Sequence, residues 1–520
     1  MASKKRRPQK DSPDLIKARS SWERGRYSEA LHRFDKALRR QPNHPMALID
    51  AARAFGSRFQ TNKAQRILAH LEKLAGSRAG ELVEAAQAYL IANRPEEAAR
   101  CLEKVIGRHP DQADANRELA ALLESRHQLD RAREHIERSL RTDPDSPEAL
   151  LIQARIMIGL GDPDFAYAIL VDLTQPGKKP LLRAEAHSLL AHIQELEGDY
   201  GEAFETMMAG NAVLERLSAS ARDAAESLEP VLVHLRDSVE TDHLRRWMKL
   251  KESAEEEALP MALMAGPYRA GSSLFGRMLA AHPEIAVSDD VPAFAEEIFP
   301  AALNAGADDA NSKSSELFRT MLQAQRQQES VRYRQLLLEN HHQHHGSHPP
   351  PGRLIDRSPG IASLVPSFLR IVPSGKLIIP VRDPRDLLVS CLFSYLPVNR
   401  YTVGFLHPFD AAERIAFELE TWVKFRKMLI PAQWIEVRYE DVVHNFTNEA
   451  RRACRLLDVA WDPSIEQYRE SACQAPTTAP LQNQITRPLH DRSVGRWKHY
   501  ESQLGSYYDE LAGVIELLDY

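Results

Sequence analysis

The feature that most constrains the fold of this chain is a repeat of 34 residues in its first part. A small residue and, four positions later, a large apolar residue recur in five consecutive copies, at Ala30, Ala64, Ala98, Ala132 and Ala166 and at Phe34, Leu68, Leu102, Ile136 and Leu170. Prolines keep the same spacing, because Pro110 and Pro144 are one period apart and Pro42 lies two periods before Pro110. A repeat of this length predicts pairs of antiparallel helices stacked into a solenoid, with the small residue where two helices approach each other.

Residues 13 to 217 resemble the tetratricopeptide repeat family in this period and residue pattern. Trp22 and Tyr27 fit the family consensus in the first copy, whereas the second copy departs from it with Phe59 and Thr61. A sixth unit is shifted to Ala203, 37 residues after Ala166, because residues 175 to 180 form an insertion. The resemblance implies a concave face that binds a protein or peptide partner. The alternatives for this surface are a rigid spacer and a homodimer interface.

Composition describes a multidomain globular protein. The 520 residues exceed one ordinary domain, and 43% hydrophobic with 27% charged residues is the usual balance of a folded chain. A net charge of −6 gives no basis for general nucleic-acid binding. Residues 1 to 12 are basic and are expected to form a disordered tail, since no apolar segment follows them.

Hydropathy and cysteine content indicate the cellular compartment in which the protein is expected. No stretch approaches the roughly 20 apolar residues that a membrane helix needs, so no membrane span is predicted. The four cysteines, Cys101, Cys391, Cys454 and Cys473, show no metal or redox spacing and are interpreted as buried thiols. A reducing, cytoplasmic location is therefore expected.

The second part of the chain contains a strand, a glycine-bounded loop and a helix in immediate succession. An apolar run from Met261 to Ala265 predicts a buried strand, the loop extends from Gly266 to Gly271, and a helix begins at Ser272. Backbone N–H groups and the helix dipole make such a junction an anion site. The glycine spacing is that of a nucleotide-phosphate loop, but Ser272 stands where nucleoside-triphosphate enzymes have lysine, which disfavours a kinase.

A short strand followed by two adjacent carboxylates is predicted after His282-Pro283. Three further segments, at 354–356, 376–381 and 434–438, are predicted to be strands that end in polar loops at Arg357, Arg382 and Tyr439. Helical patterns lie between them, so residues 258 to 520 are predicted to form an α/β domain with a central parallel sheet, preceded by a connecting helix at 218–257. The carboxyl ends of parallel strands meet at one edge of the sheet, where ligands bind. We therefore expect these loops to lie beside the Gly266 loop.

The order of these landmarks resembles the sulfotransferases that use 3'-phosphoadenosine 5'-phosphosulfate (PAPS), especially the tyrosylprotein-type and bacterial tetratricopeptide-linked branches. The matching motifs are Pro267 to Leu274 followed by His282-Pro283, Arg382 to Asp386 with Ser390, Tyr439 to Val442, Asp462-Pro463, and Arg492 to Tyr500. The match covers about residues 260 to 500. It implies a P-loop-like fold and metal-free transfer of a sulfuryl group from PAPS to a hydroxyl acceptor.

The resemblance also implies roles for individual residues. The 5'-phosphosulfate is expected on Arg269, Ala270, Gly271, Ser272 and Ser273, the 3'-phosphate on Arg382 and Ser390, and further donor contacts on Tyr439, Arg492 and Lys498. Arg357 is expected to stabilise charge near the transferring group. Asp290 is the expected general base, with Asp289 or Glu296 as alternatives. The tyrosylprotein branch has glutamate at that position, and aspartate is shorter by one methylene, about 1.5 Å.

Several alternatives stay open from the sequence. Arg382 and Asp386 also fit a surface ion pair, and Ser272 an ordinary N-cap. The acceptor is a peptide or protein tyrosine recruited by the repeats, a carbohydrate or a lipid. A different class is a non-catalytic scaffold that binds nucleotide without turnover, because Asp290 departs from the family pattern and the segment from Thr477 lacks the family's Thr-x-Ser element. The histidine-rich stretch 341–348 is expected to be a solvated loop, with metal binding as the weaker alternative.

Overall fold

The structure is a computed structural model that describes residues 10–288, 293–304, 323–345, 352–470 and 489–520, with the backbone alone for 302–304, 323 and 341–345. The described residues divide into two compact units. One contains the residues up to Glu124, Gln128–Ile152 and the helix end from Leu338, and the other contains the rest. This division lies inside the repeats, and the boundaries that the sequence places at residues 217 and 257 stay a prediction.

Helices occupy the repeat region in consecutive pairs. Their bounds are α1 Pro13–Glu23, α2 Tyr27–Arg40, α3 Pro45–Ser57, α4 Thr61–Ala75, α5 Ala79–Ile91, α6 Pro95–Ile106, α7 Ala113–Ser125, α8 Leu129–Thr142, α9 Pro147–Leu160, α10 Pro163–Leu173, α11 Pro180–Glu197 and α12 Tyr200–Glu215. The five alanines of the repeat are fully buried, and the apolar residues four positions later are at most 3% exposed. The predicted helical repeat is therefore confirmed, and the series marks its packed faces.

Residues 218–257, expected to be one connecting helix, contain three: α13 Ala219–Ser238, α14 Thr241–Trp247 and α15 Ala254–Glu257. The breaks have local causes. Val239 and Glu240 are extended, and a capping box between Glu240 and His243 begins α14. A second capping box, between Ser253 and Glu256, begins α15.

A five-stranded sheet organises the remainder of the described chain. Its strands are β1 Met261–Met264, β2 Ile285–Ser288, β3 Arg353–Arg357, β4 Lys376–Val381 and β5 Trp434–Arg438. They pair in the order β2-β3-β1-β4-β5, and every pairing is parallel. The central strand β1 is buried along its whole length. The predicted α/β domain with a parallel sheet is confirmed, and polar loops follow β1, β3 and β4. The loop predicted at Tyr439 is wrong, because α22 begins at Tyr439 directly after the last residue of β5.

The helices of this part are α16 Ser272–Ala280, α17 Phe299–Asn304, α18 Gln323–His345, α19 Val365–Ile371, α20 Pro384–Leu392, α21 Pro408–Arg426, α22 Tyr439–Leu456, α23 Glu501–Leu504 and α24 Ala512–Leu517. One apolar cluster joins α16 and α22 to the sheet, and another joins α20 and α21 to the C-terminal residues. The sheet edge that carries the polar loops is thus held by packed helices.

The expectation of a loop at 341–348 is wrong for residues 341–345, because α18 continues to His345. Histidine and glutamine are tolerated in helices, and the first strong breaker in the sequence is Gly346. Three cysteines, Cys101, Cys391 and Cys454, are buried and free, as predicted. Cys473 lies outside the described residues. Within the described ranges, none of the helices combines the length and apolarity that crossing a bilayer requires.

Candidate functional site

The loop after β1 owes its path to two glycines. A Cβ on Gly266 would stand 2.1 Å from the Pro380 carbonyl oxygen of β4, so only glycine permits this approach. Gly271 has a φ of +92° and is the N-cap of α16. A Cβ on Gly271 would stand 2.7 Å from the Tyr439 ring. The alternative that made Ser272 the N-cap is therefore wrong, since Ser272 is the first helical residue.

Arg269 adopts a backbone conformation that non-glycine residues rarely use, with a φ of +67°. Its side chain donates from Nε to Ser390 Oγ at 3.2 Å, and its carbonyl accepts from Arg382 at 3.3 Å. Burial, followed by the charges of Arg382 and Arg496, lowers the pKa of the Arg269 guanidinium to about 10. Arg269 therefore stays cationic at neutral pH and is held in place from both its backbone and its side chain.

Arg382 lies beneath the same loop and is only 3% exposed. Its guanidinium lies over the Tyr439 ring at 4.6 Å from the centroid, and it donates to the Ser493 carbonyl. Among the described residues, its buried Nε has no hydrogen-bond partner. A buried guanidinium with an unsatisfied N–H fits an anionic ligand, which would satisfy both the charge and the donor.

Asp386 is not part of a surface ion pair, and that alternative is wrong. Its carboxylate is fully buried and lies 3.9 Å from Arg382, and burial raises its pKa despite the arginine. It accepts hydrogen bonds from the backbone N–H of Gly495 at 2.7 Å and of Trp497 at 2.9 Å. Asp386 therefore ties the C-terminal segment to the start of α20. Sequence reasoning missed this role, because the partners lie more than a hundred residues away and carry no local signal.

Arg357 ends β3 and reaches the first turn of α16. It is 3% exposed, and it donates to Ser273 Oγ at 3.0 Å. A Cβ on Gly276 would stand 3.1 Å from its Cδ, so the glycine leaves room for the arginine. The structure therefore brings Arg357 to the same helix N-terminus as Arg269.

Asp356, which the sequence did not single out, lies beside Ser288 in the register of β2 and β3. Its fully buried carboxylate accepts hydrogen bonds from Tyr333 Oη, from Ser358 Oγ at 2.7 Å and from Ser288 Oγ at 3.3 Å. Burial raises its pKa to about 6. The network holds the end of β2 against Arg357, and Asp289 and Asp290 follow β2 immediately in the sequence.

The other expected site residues are placed as follows. Ala270 is buried in the loop, whereas Ser273 is exposed at the start of α16. Arg492 and Lys498 are exposed on the C-terminal segment. Asp289, Asp290 and the segment from Thr477 lie outside the described residues. Glu296, an alternative base, forms an ion pair with Arg400 at 3.1 Å. The described residues contain no cluster of side chains suited to a metal ion.

The fold and the site together define a class. The guanidinium groups of Arg269, Arg357 and Arg382 lie around one loop, at a helix N-terminus on the carboxyl edge of a parallel sheet. This arrangement has the chemistry to hold a phosphate-type anion. A sequence profile of the sulfotransferase family matches residues 260–463, and two tetratricopeptide-repeat profiles match residues 17–56 and 89–156. The chain therefore carries a sulfotransferase-family domain preceded by tetratricopeptide repeats.

Individual relatives are distant. An uncharacterized protein of Aquifex aeolicus (strain VF5) is 22% identical over 420 residues, which are 79% of this chain and 52% of the relative. A putative protein-tyrosine sulfotransferase of Caenorhabditis briggsae is 26% identical over 131 residues, 24% of this chain and 43% of the relative. This chain thus spans about half the length of the curated relatives it matches. The solved sulfotransferase domain from the curacin biosynthetic pathway is 18% identical, with 50% of this chain and 98% of that domain covered and a TM-score of 0.33.

Proposed function

We propose that this protein transfers a sulfuryl group from PAPS to a hydroxyl group of an acceptor. The observation that carries the proposal is the linkage of Arg269, Ser390 and Arg382 beneath the loop that begins α16. These are the residues that the family resemblance assigns to the donor. When bound, PAPS supplies an activated sulfuryl group and leaves as 3'-phosphoadenosine 5'-phosphate (PAP).

The residues of the site fit such a donor. The N-terminus of α16, with Arg269 and the hydroxyls of Ser272 and Ser273, supplies donors for the 5'-phosphosulfate. Arg382 and Ser390 are proposed to hold the 3'-phosphate, and the unsatisfied Nε of Arg382 supports this among the described residues. Tyr439 supports the Arg382 guanidinium from below. A sulfuryl group carries less charge than a terminal phosphoryl group, which accounts for Ser272 in place of lysine.

Arg357 is proposed to stabilise charge that develops during transfer. Its guanidinium is fixed by Ser273 and by close contact with α16, so it does not have to reorganise during the reaction. Asp290 is proposed to take the acceptor proton, with Asp289 as the alternative. The Asp356 network ends at Ser288, the residue that precedes this pair in the sequence.

The proposed acceptor is a tyrosine hydroxyl in a peptide or protein. Tetratricopeptide repeats typically bind proteins, and one distant relative is described as a putative protein-tyrosine sulfotransferase. A solenoid on the same chain would raise the local concentration of a peptide acceptor near the site.

Calorimetric titration with PAP tests the donor assignment. The wild type is expected to bind PAP at micromolar concentrations and ATP much more weakly. Ser390→Ala removes the partner of Arg269 and one proposed phosphate donor, and is expected to weaken PAP roughly tenfold or more. Arg382→Ala is expected to abolish binding in a protein with a native circular dichroism spectrum.

Ser367→Ala is the matched control for Ser390→Ala, because Ser367 is also a buried helical serine but belongs to α19. It is expected to bind PAP like the wild type. A clear preference for ATP, or equal losses in the two serine variants, would contradict the donor site.

A further inference from the structure

Glu195, near the end of α11, lies outside the segment that matches the sulfotransferase family. It nevertheless receives two hydrogen bonds from the Arg496 guanidinium, from Nε and, at 2.9 Å, from Nη2. Tyr500 Oη donates to the same carboxylate at 3.2 Å. One carboxylate of a repeat-type helix therefore binds both ends of the short helix Arg496–Tyr500.

The opposite side of this short helix and the residues just before it contact the proposed donor site. The Ser493 carbonyl accepts from Arg382, and the backbone N–H groups of Gly495 and Trp497 donate to Asp386. Residues 493–500, called here the closing segment, thus contact the arginine proposed to bind the 3'-phosphate and the carboxylate beside it.

Aromatic contacts fix the same geometry. His499 is stacked on Tyr200 of α12 with ring centroids 4.1 Å apart, and Tyr500 meets Tyr200 edge to face. The Arg496 guanidinium lies 5.0 Å from the centroid of Phe393, which directly follows α20. The closing segment is therefore packed between α11 and α12 on one side and the start and end of α20 on the other.

The charge state of Glu195 agrees with a strong contact. Burial raises its pKa, but hydrogen bonding with His192 and the charge of Arg496 outweigh burial and lower it to about 2. The pair therefore stays ionised throughout the physiological range. Two parallel hydrogen bonds between a guanidinium and a carboxylate also fix orientation, which a single point contact does not.

We propose that Glu195 is a positioning residue for the donor site: through Arg496 and Tyr500 it holds the closing segment so that Arg382 and Asp386 keep the geometry that recognises the 3'-phosphate. The ligand part of this proposal rests on the proposed function. A repeat-region helix thereby becomes a working part of the transferase site, whereas the repeats are otherwise expected to recruit a partner.

The test compares Glu195→Gln with Glu185→Gln in the full-length protein. Both residues lie on α11, and Glu185 forms an ion pair of similar exposure with Arg155 at 2.6 Å. The first measurement is hydrogen exchange of residues 493–500 without ligand. Glu195→Gln is expected to speed exchange at the Gly495 and Trp497 amides, and Glu185→Gln to leave it unchanged.

The second measurement is the affinity for PAP and for 5'-AMP, which lacks the 3'-phosphate. Glu195→Gln is expected to weaken PAP about tenfold and to change 5'-AMP binding little, a pattern that general destabilisation does not produce. Unchanged exchange at 493–500 overturns the proposal, as does equal weakening of both nucleotides or unchanged PAP affinity. If the wild type itself does not bind PAP, the proposed function fails, and the exchange result then decides separately whether Glu195 holds the closing segment.

Discussion

At the scale of single residues, the buried carboxylate of Asp356 should make stability depend on pH. Burial raises its pKa from 3.8 to about 6, so the protonated form is favoured in the folded state. Its contribution to stability is fully present below about pH 3.8 and is lost as pH rises through about 6. Between pH 5 and pH 7 the wild type should lose about 1 kcal/mol from this group.

Urea unfolding of the wild type and of Asp356→Asn at pH 5, 6 and 7 measures this contribution. The asparagine variant cannot titrate at this position. The difference in unfolding free energy between the two proteins should therefore change by about 1 kcal/mol between pH 5 and pH 7. Parallel pH profiles would show that Asp356 is ionised throughout and that the Tyr333, Ser288 and Ser358 hydroxyls outweigh its burial.

Arg357 gives a second prediction at this scale. Arg357→Lys keeps the charge but loses the planar guanidinium that reaches Ser273, so the transfer rate should fall about a hundredfold or more, with PAP affinity changed little. Arg353→Lys is the control, because Arg353 begins the same strand and binds the Leu457 and Asp458 carbonyls instead. Similar rate losses in the two variants would mean that Arg357 acts through the strand and not on the reaction.

At the scale of elements, a substitution at Gly271 should disturb the contact between the loop before α16 and Tyr439 at the start of α22. Gly271→Ala would add strain at a φ of +92° and would push the Tyr439 ring, which supports Arg382. Gly161→Ala has a similar φ of +88° but meets nothing within 4 Å. Both variants should lose about 1 kcal/mol from backbone strain, and only Gly271→Ala should lose more than that and bind PAP more weakly.

Chemical unfolding together with PAP titration of both glycine variants checks this. Equal losses of stability with unchanged PAP affinity would show that the contact between Gly271 and Tyr439 does not affect nucleotide binding.

The elements were largely predictable, and the contacts between them were not. The period of 34 residues marks the buried alanines, and the apolar runs mark each strand, because both depend on local periodicity. The motifs located Arg269, Arg382 and Ser390, which the structure links. The roles of Asp386 and Glu195 were not predicted, because their partners near residue 496 are distant in sequence and these contacts depend on how the helices pack. The continuation of α18 through residues 341–345 and the three helices of 218–257 depend on local propensities and caps that a coarse pattern overlooks.

At the scale of the whole molecule, nucleotide binding should stabilise the native state, and a nucleotide that makes more contacts with the site should stabilise it more. PAP at a hundred times its Kd should raise the free energy of unfolding by about 2.7 kcal/mol. 5'-AMP at the same concentration should raise it less, because Arg382 and Ser390 are proposed to bind the 3'-phosphate that 5'-AMP lacks. Thermal unfolding in the presence of each nucleotide measures the difference, and equal shifts would contradict that role.

The central claim is sulfuryl transfer, and the most direct test is incubation of the full-length protein with radiolabelled PAPS and a panel of tyrosine peptides, glycans and lipids. We predict transfer of label to a tyrosine hydroxyl that persists with a metal chelator and is lost in Asp290→Ala, although that variant still binds PAP. Wild-type transfer by Asp290→Ala would move the base to another residue. Tight PAP binding without transfer to any acceptor would contradict the claim and identify the protein as a nucleotide-binding scaffold.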